Sequence, residues 1–173
     1  MKRLLACAMA ALVIVALGSA ATVAAPKSWK TFAGGASTVT ESPRGTFTIV
    51  NGIGDDGGVY VQAFGSFGKH VGDVTFSFSS SGTVAGGAPR FSIPVDTSGD
   101  KVTDFYAFLD VNGCGGNTTV STTSASCTAY AGAETFANWA ALVAAHPNWT
   151  ISNIPFVIAD QPGTYVVWNI VLR

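Results

Sequence analysis

At 173 residues the chain suits one domain with a substantial core. Charged residues make up only 11% and the formal net charge is −1, which excludes a basic face for phosphates and an acidic tail for cationic partners, so nucleic acid is not an expected ligand. A hydrophobic fraction of 48% excludes an unfolded chain, and 20 glycines among short apolar runs point to strands and tight turns rather than a helical bundle.

In chain order, Lys2 and Arg3 precede an apolar run over residues 4–17, and Gly18, Ser19, Ala20 and Ala21 supply the small side chains of a cleavage site. Residues 1–21 read as a cleaved signal peptide; a cut as late as residue 25 would leave Pro26 next, which signal peptidases tolerate poorly. The run falls short of the ~20 residues that span a bilayer, and nothing later is long and apolar enough, so the expected product is secreted and extracellular with no transmembrane segment in the mature chain. Cys7 weakly imitates a lipoprotein signal but precedes the apolar core that it would have to follow. Cys114 and Cys127 are then the only cysteines of the mature chain, and in an oxidising compartment such a pair forms a disulfide bond.

Residues 26–42 read as a lead-in or first edge strand. Two alternating runs, 45–50 and 59–64, flank Asn51-Gly52 and Asp56-Gly57-Gly58, which predicts a hairpin with a longer loop. Val74, Phe76 and Phe78 alternate with Thr75, Ser77 and Ser79, the clearest half-buried strand. A second strand, 90–95, places Phe91, Ile93 and Val95 on one face, with Pro94 marking an edge or bulge because it lacks a donor. Residues 96–100 form a turn containing Gly99, and 105–111 is apolar on both faces, as expected of a central strand covered on both sides. Residues 115–126, between the cysteines, read as a polar surface hairpin closed at its base, and 127–131 as a further strand.

A helix is predicted over 135–145, capped by Thr135 and stopped by Pro147, with Phe136, Trp139, Ala140 and Val143 on its buried stripe. Two apolar runs, 154–159 and 165–172, close the chain; in the second, Val166, Trp168, Ile170 and Leu172 face one way and Tyr165, Val167, Asn169 and Val171 the other. About eight to ten short strands with one covering helix predict an all-β antiparallel sandwich, jelly-roll-like, in a single domain over 26–173.

The chemistry of the side chains is sparse. His70 and His146, the only histidines, have no partner at metal-binding spacing and read as a loop residue and a helix-end residue. No serine stands in a nucleophile elbow, and the only glutamates, Glu41 and Glu134, fall in the lead-in and at the helix start, so no catalytic residues are assigned. Asp96, Asp100 and Asp104 surround one turn and offer weak calcium candidates, with Asp55 and Asp56 similar, but solvated turn carboxylates are the favoured reading and no cofactor is expected. Arg90 needs an anion and has Asp110 or Asp160 to choose from. Aromatic side chains near strand ends or loops are the more suggestive ingredient, since a sugar ring stacks on an apolar ring flanked by hydrogen-bonding groups. Tyr60, Tyr106, Tyr130 and Trp149 are the candidate ligand-binding residues, with Trp29 beside them; Phe76, Phe78, Phe91, Phe105, Trp139 and Trp168 go to packing by periodicity.

The succession of Gly86-Gly87-Ala88-Pro89-Arg90-Phe91-Ser92-Ile93, a cysteine-closed loop, Asn138-Trp139, Phe156-Val157-Ile158-Ala159-Asp160 and Val167-Trp168-Asn169-Ile170-Val171-Leu172 resembles secreted bacterial β-sandwich proteins of unassigned function. More distantly it resembles the galactose-binding-like, jelly-roll carbohydrate-binding modules; Trp168 stands where such modules often carry a calcium-holding aspartate, so that site does not transfer. The expected function is a secreted, non-catalytic binding module for polysaccharide or another cell-envelope glycan. A structural or adhesive envelope protein that binds another protein is the alternative, and a secreted hydrolase with an unrecognised site comes third.

Overall fold

The computed structural model describes residues 29–42, 45–61 and 65–173; the predicted signal peptide and the end of the second predicted strand lie outside them. The strands are β1 (Trp29–Gly34), β2 (Thr38–Ser42), β3 (Thr46–Asn51), β4 (Asp56–Val61), β5 (Phe76–Gly82), β6 (Arg90–Asp96) and β7 (Phe105–Asp110), then β8 (Thr119–Ser121), β9 (Ala129–Ala131), β10 (Glu134–Phe136), β11 (Thr150–Ile151), β12 (Phe156–Ala159) and β13 (Gly163–Leu172). One helix, α1 (Trp139–Ala145), lies between β10 and β11. Two antiparallel sheets result, one of eight strands ordered β1-β4-β12-β6-β7-β9-β10 with β11 beside β6, the other of five ordered β2-β3-β13-β5-β8. From β3 to β6 the chain alternates between the sheets, β7 stays beside β6, β8 crosses to the five-stranded sheet, and β12 and β13 again lie in different sheets.

The core lies between the sheets because each strand turns every second side chain inward. Phe47, Ile49, Phe76 and Phe78 meet Phe91, Ile93, Ala107 and Leu109 there, all at most 1% exposed, with Phe76 and Phe91 in ring contact at 4.9 Å. Tyr165 is fully buried, and its hydroxyl donates to the Gln161 carbonyl four residues upstream (3.0 Å), which settles the one polar atom that its burial would strand.

Five expectations change. The runs on either side of Asn51 do not form a hairpin, because β3 and β4 belong to different sheets. The crossing is held by Asn51, whose amide donates to the Ala159 carbonyl (2.7 Å) while its oxygen accepts from the Ser37 hydroxyl (2.6 Å). Pro94 lies in a central strand rather than at an edge; its carbonyl accepts the Ser152 N–H (3.1 Å) on the side where β12 ends and β11 begins, so the missing donor faces that break. The segment between the cysteines is not a surface hairpin, since it leaves β7, pairs with β5 as β8 with Val120 fully buried, and returns as β9. The Cys114–Cys127 disulfide closes that excursion.

The helix starts later than predicted. Residues 134–136 pair with β9, and Asn138 is the cap, its Oδ1 accepting the Ala141 N–H (2.9 Å). Trp139 and Leu142 form the buried face, Val143 is half-buried and Ala140 is exposed. In β13 the pairing with β5 slips between Trp168 and Val171, where Asn169 takes φ 50°, so the buried set passes from Tyr165 and Val167 to Ile170 and Leu172. Trp168 is consequently half-buried rather than core.

Candidate functional site: an aromatic trough on the eight-stranded sheet

The strand predicted to be covered on both sides, β7, is covered on one. Ala107 and Leu109 face the core, whereas Phe108 is half-buried and Tyr106 is 48% exposed on the outer face. Antiparallel register carries this outer face across the sheet. Tyr60, Phe156, Ser92, Phe108 and Tyr130 stand opposite one another on β4, β12, β6, β7 and β9, forming one row. The adjacent row holds Gly58, Ile158, Arg90 and Asp110, with Phe32 opposite Gly58 on β1.

Ring contacts stitch these rows together. Phe32 meets Phe156 edge to face at 5.7 Å and lies 6.4 Å from Tyr60; Tyr106 reaches over β6 to meet Phe156 at 5.7 Å. That reach is open because β6 presents only Ser92 and Pro94 beneath it, both buried. Gly58 seats the Phe32 ring, since a Cβ at that position would collide with it and with the Val157 carbonyl. On the other side, Phe108 and Tyr130 stack at 5.0 Å and 18°, and the Arg90 guanidinium lies 5.6 Å from the Phe108 centroid.

Two contiguous cavities follow from this relief. One, of about 480 Å³, extends from Phe32 and Tyr60 to Asn153 and Ile154. The other, of about 530 Å³, runs over Arg90, Ser92 and Phe108. Tyr106, Phe156 and Ile158 line both. Each volume falls in the usual range of small-molecule sites, with an apolar lining and a few polar groups.

The charges within the trough are largely committed. Arg90 binds Asp160 through both guanidinium nitrogens (2.6 and 2.5 Å), so of its two sequence candidates it takes Asp160. Asp110, 4% exposed, accepts the Gly113 N–H (2.5 Å) and fixes the turn after β7. Burial, and then the negative charge of Asp110, push the Tyr130 hydroxyl above the usual phenol range, so at neutral pH it is a neutral donor.

Of the sequence candidates, Tyr60, Tyr106 and Tyr130 meet on this face and Trp149 does not. Its ring lies flat on His146 (3.7 Å, 5°) and against Phe105 (5.0 Å), half-buried at the end of the sandwich. Trp29 packs edge to face on Phe47 at 6.1 Å. Phe32, Phe108, Phe156 and Ile158 join the site without having been singled out; the signal available was their alternation with the inward Ala107, Leu109, Val157 and Ala159.

The aspartates proposed for calcium serve turns. Asp96, 3% exposed, accepts the N–H groups of Ser98, Gly99 and Lys101 at 2.7–2.9 Å; Asp104 accepts the Thr97 N–H and hydroxyl, and Asp100 the Val102 N–H. Asp55 accepts from Ala36 and Gly52. Glu134 lies on β10, 3.3 Å from His146 Nε2, rather than at the helix start. Among the described residues no helix is long and apolar enough to cross a membrane. Neither a protein-family model nor a curated protein matches the chain.

Proposed function

We propose that the protein is an exported, non-catalytic binding module whose aromatic trough holds a polysaccharide or another cell-envelope glycan. The observation that carries this reading is the gathering of Tyr60, Tyr106 and Tyr130, with Phe32, Phe108 and Phe156, on the outer face of one sheet, where an ordinary solvated face would be polar. Pyranose rings have apolar C–H faces and hydroxyl rims, and the trough pairs ring edges and faces with the Tyr60 and Tyr106 side chains and the Asn153 amide. The two-sheet antiparallel sandwich is also compatible with the distant likeness to galactose-binding-like modules, which bears on architecture more than on ligand.

A glycan array and polysaccharide pull-down on the mature protein test the reading, with Tyr106→Ala as control. Binding that Tyr106→Ala abolishes is the expected result. Silence across diverse glycans together with capture of an envelope protein would sink it and leave the adhesive alternative.

A further inference from the structure

Resting on that reading, we infer that the trough takes an uncharged, extended chain of pyranose units laid across the strands, along the row from Tyr60 to Tyr130. Three observations carry this. First, the row crosses β4, β12, β6, β7 and β9 in continuous register, and four interstrand steps of about 4.8 Å make it about 19 Å long, the length of several linked sugar rings rather than one. Second, the two cavities meet over Tyr106, Phe156 and Ile158. A ligand long enough to fill one continues into the other, and those shared side chains lie beneath its middle.

Third, the charges fit a neutral ligand. The Arg90 guanidinium is forked onto Asp160 and lies over Phe108, so a phosphate, sulfate or uronate would have to displace a carboxylate to reach it. Asp56 lines the first cavity and Asp110 is buried beside the row, and both repel anions. Lys30 stands opposite Tyr60 on the edge strand β1, three strands from Arg90 and outside the lining of both cavities. Hydroxyls, by contrast, can bond to the Tyr60, Tyr106 and Tyr130 phenols without changing the charge of the site.

The test is calorimetric titration of the mature protein with linear β-1,4-linked gluco-, manno- and xylo-oligosaccharides of one to six units, and with an oligouronate of equal length. For whichever neutral series binds, affinity is expected to rise about tenfold or more from disaccharide to tetrasaccharide and then level off, and the oligouronate to bind at least about tenfold more weakly. Tyr60→Ala and Tyr130→Ala, at opposite ends, are each expected to weaken the tetrasaccharide about five- to tenfold and the disaccharide less than about twofold. Tyr130→Phe, which keeps the stack, controls for folding.

A monosaccharide that binds as tightly as the tetrasaccharide would overturn the multi-ring mode while leaving glycan binding intact. So would preference for the oligouronate. If no oligosaccharide binds, and Tyr106→Ala instead disperses a dimer or releases a protein partner, both this inference and the reading beneath it fall.

Discussion

At position 58 the missing side chain decides the shape of the trough. Gly58→Ala would press a methyl group into the Phe32 ring and the Val157 carbonyl, one movable and the other fixed in the β4–β12 ladder. The expected cost is about 1–3 kcal/mol of stability, read as a lowered thermal midpoint, with weaker glycan binding because Phe32 loses its seat. Tyr106→Ala should separate the two effects. Its side chain is 48% exposed, so stability should stay within about 0.5 kcal/mol, the range for surface changes, while binding falls. Asp96 gives a prediction in pH. Burial alone would raise its carboxyl, but the N–H groups of Lys101, Gly99 and Ser98 outweigh it and hold the group below the usual range; the Thr97 hydroxyl and N–H do the same for Asp104. A depressed folded-state value means that this stabilisation is complete above about pH 5, where the unfolded carboxylate has ionised, and is lost as pH falls further. Chemical denaturation between pH 6 and about pH 2.5 should therefore show a smaller acid loss for Asp96→Asn than for the parent, and equal slopes would reject the assignment.

Elements were legible where one face is apolar and the pattern is local. The alternation of Phe76 and Phe78 with Ser77, and of Phe91, Ile93 and Val95, gave strands where the structure has them. The helix was predicted to start too early and on a shifted face: it runs Trp139–Ala145 rather than over 135–145. Thr135 and Asn138 are both good caps, and the choice falls to Asn138 because Thr135 is opposite Tyr130 in the β9–β10 ladder. Once the start moves, Leu142 rather than Ala140 turns inward. Trp139→Ala and Leu142→Ala are expected to cost about 3–5 and 2–5 kcal/mol respectively, with Trp139 also losing the indole bond to the Val71 carbonyl (3.3 Å), whereas Ala140→Gln should change stability by less than about 0.5 kcal/mol. Melts that rank Ala140 with Leu142 would return the buried face to the earlier register. The bulge at Asn169 escaped for a different reason: one inserted residue inverts every later side chain, and strict alternation cannot signal where that occurs.

In the whole molecule, what remained hidden was set by contacts between strands remote in the chain. Tyr60, Phe156, Phe108 and Tyr130 form a row only because β12 inserts between β4 and β6, a pairing that no local pattern encodes, and Arg90 takes Asp160 for the same reason. The bridge between cysteines was legible from their count and the expected export, but its role changes with the topology. Cys114 and Cys127 are each 1% exposed and stand where the chain leaves β7 for the other sheet and returns to β9, so the bond closes the excursion that supplies β8. It also backs the trough. Gly113, next to Cys114, accepts the Thr128 N–H (2.8 Å), and a Cβ there would lie 3.1 Å from the Tyr130 ring. Cys127→Ser should thus act twice. Releasing a loop of this length should cost about 3 kcal/mol in the chain-entropy account. For a domain of this size that corresponds to a thermal midpoint about 6–12 °C lower. The loosened Gly113–Thr128 contact should also let the Tyr130 end of the row move, weakening a long oligosaccharide more than a short one. Melts with and without reductant check the first effect, since reductant should lower the parent and leave the variant unchanged. Titration with the two ligand lengths checks the second: an equal loss for both would mean that the bridge stabilises the fold without positioning Tyr130.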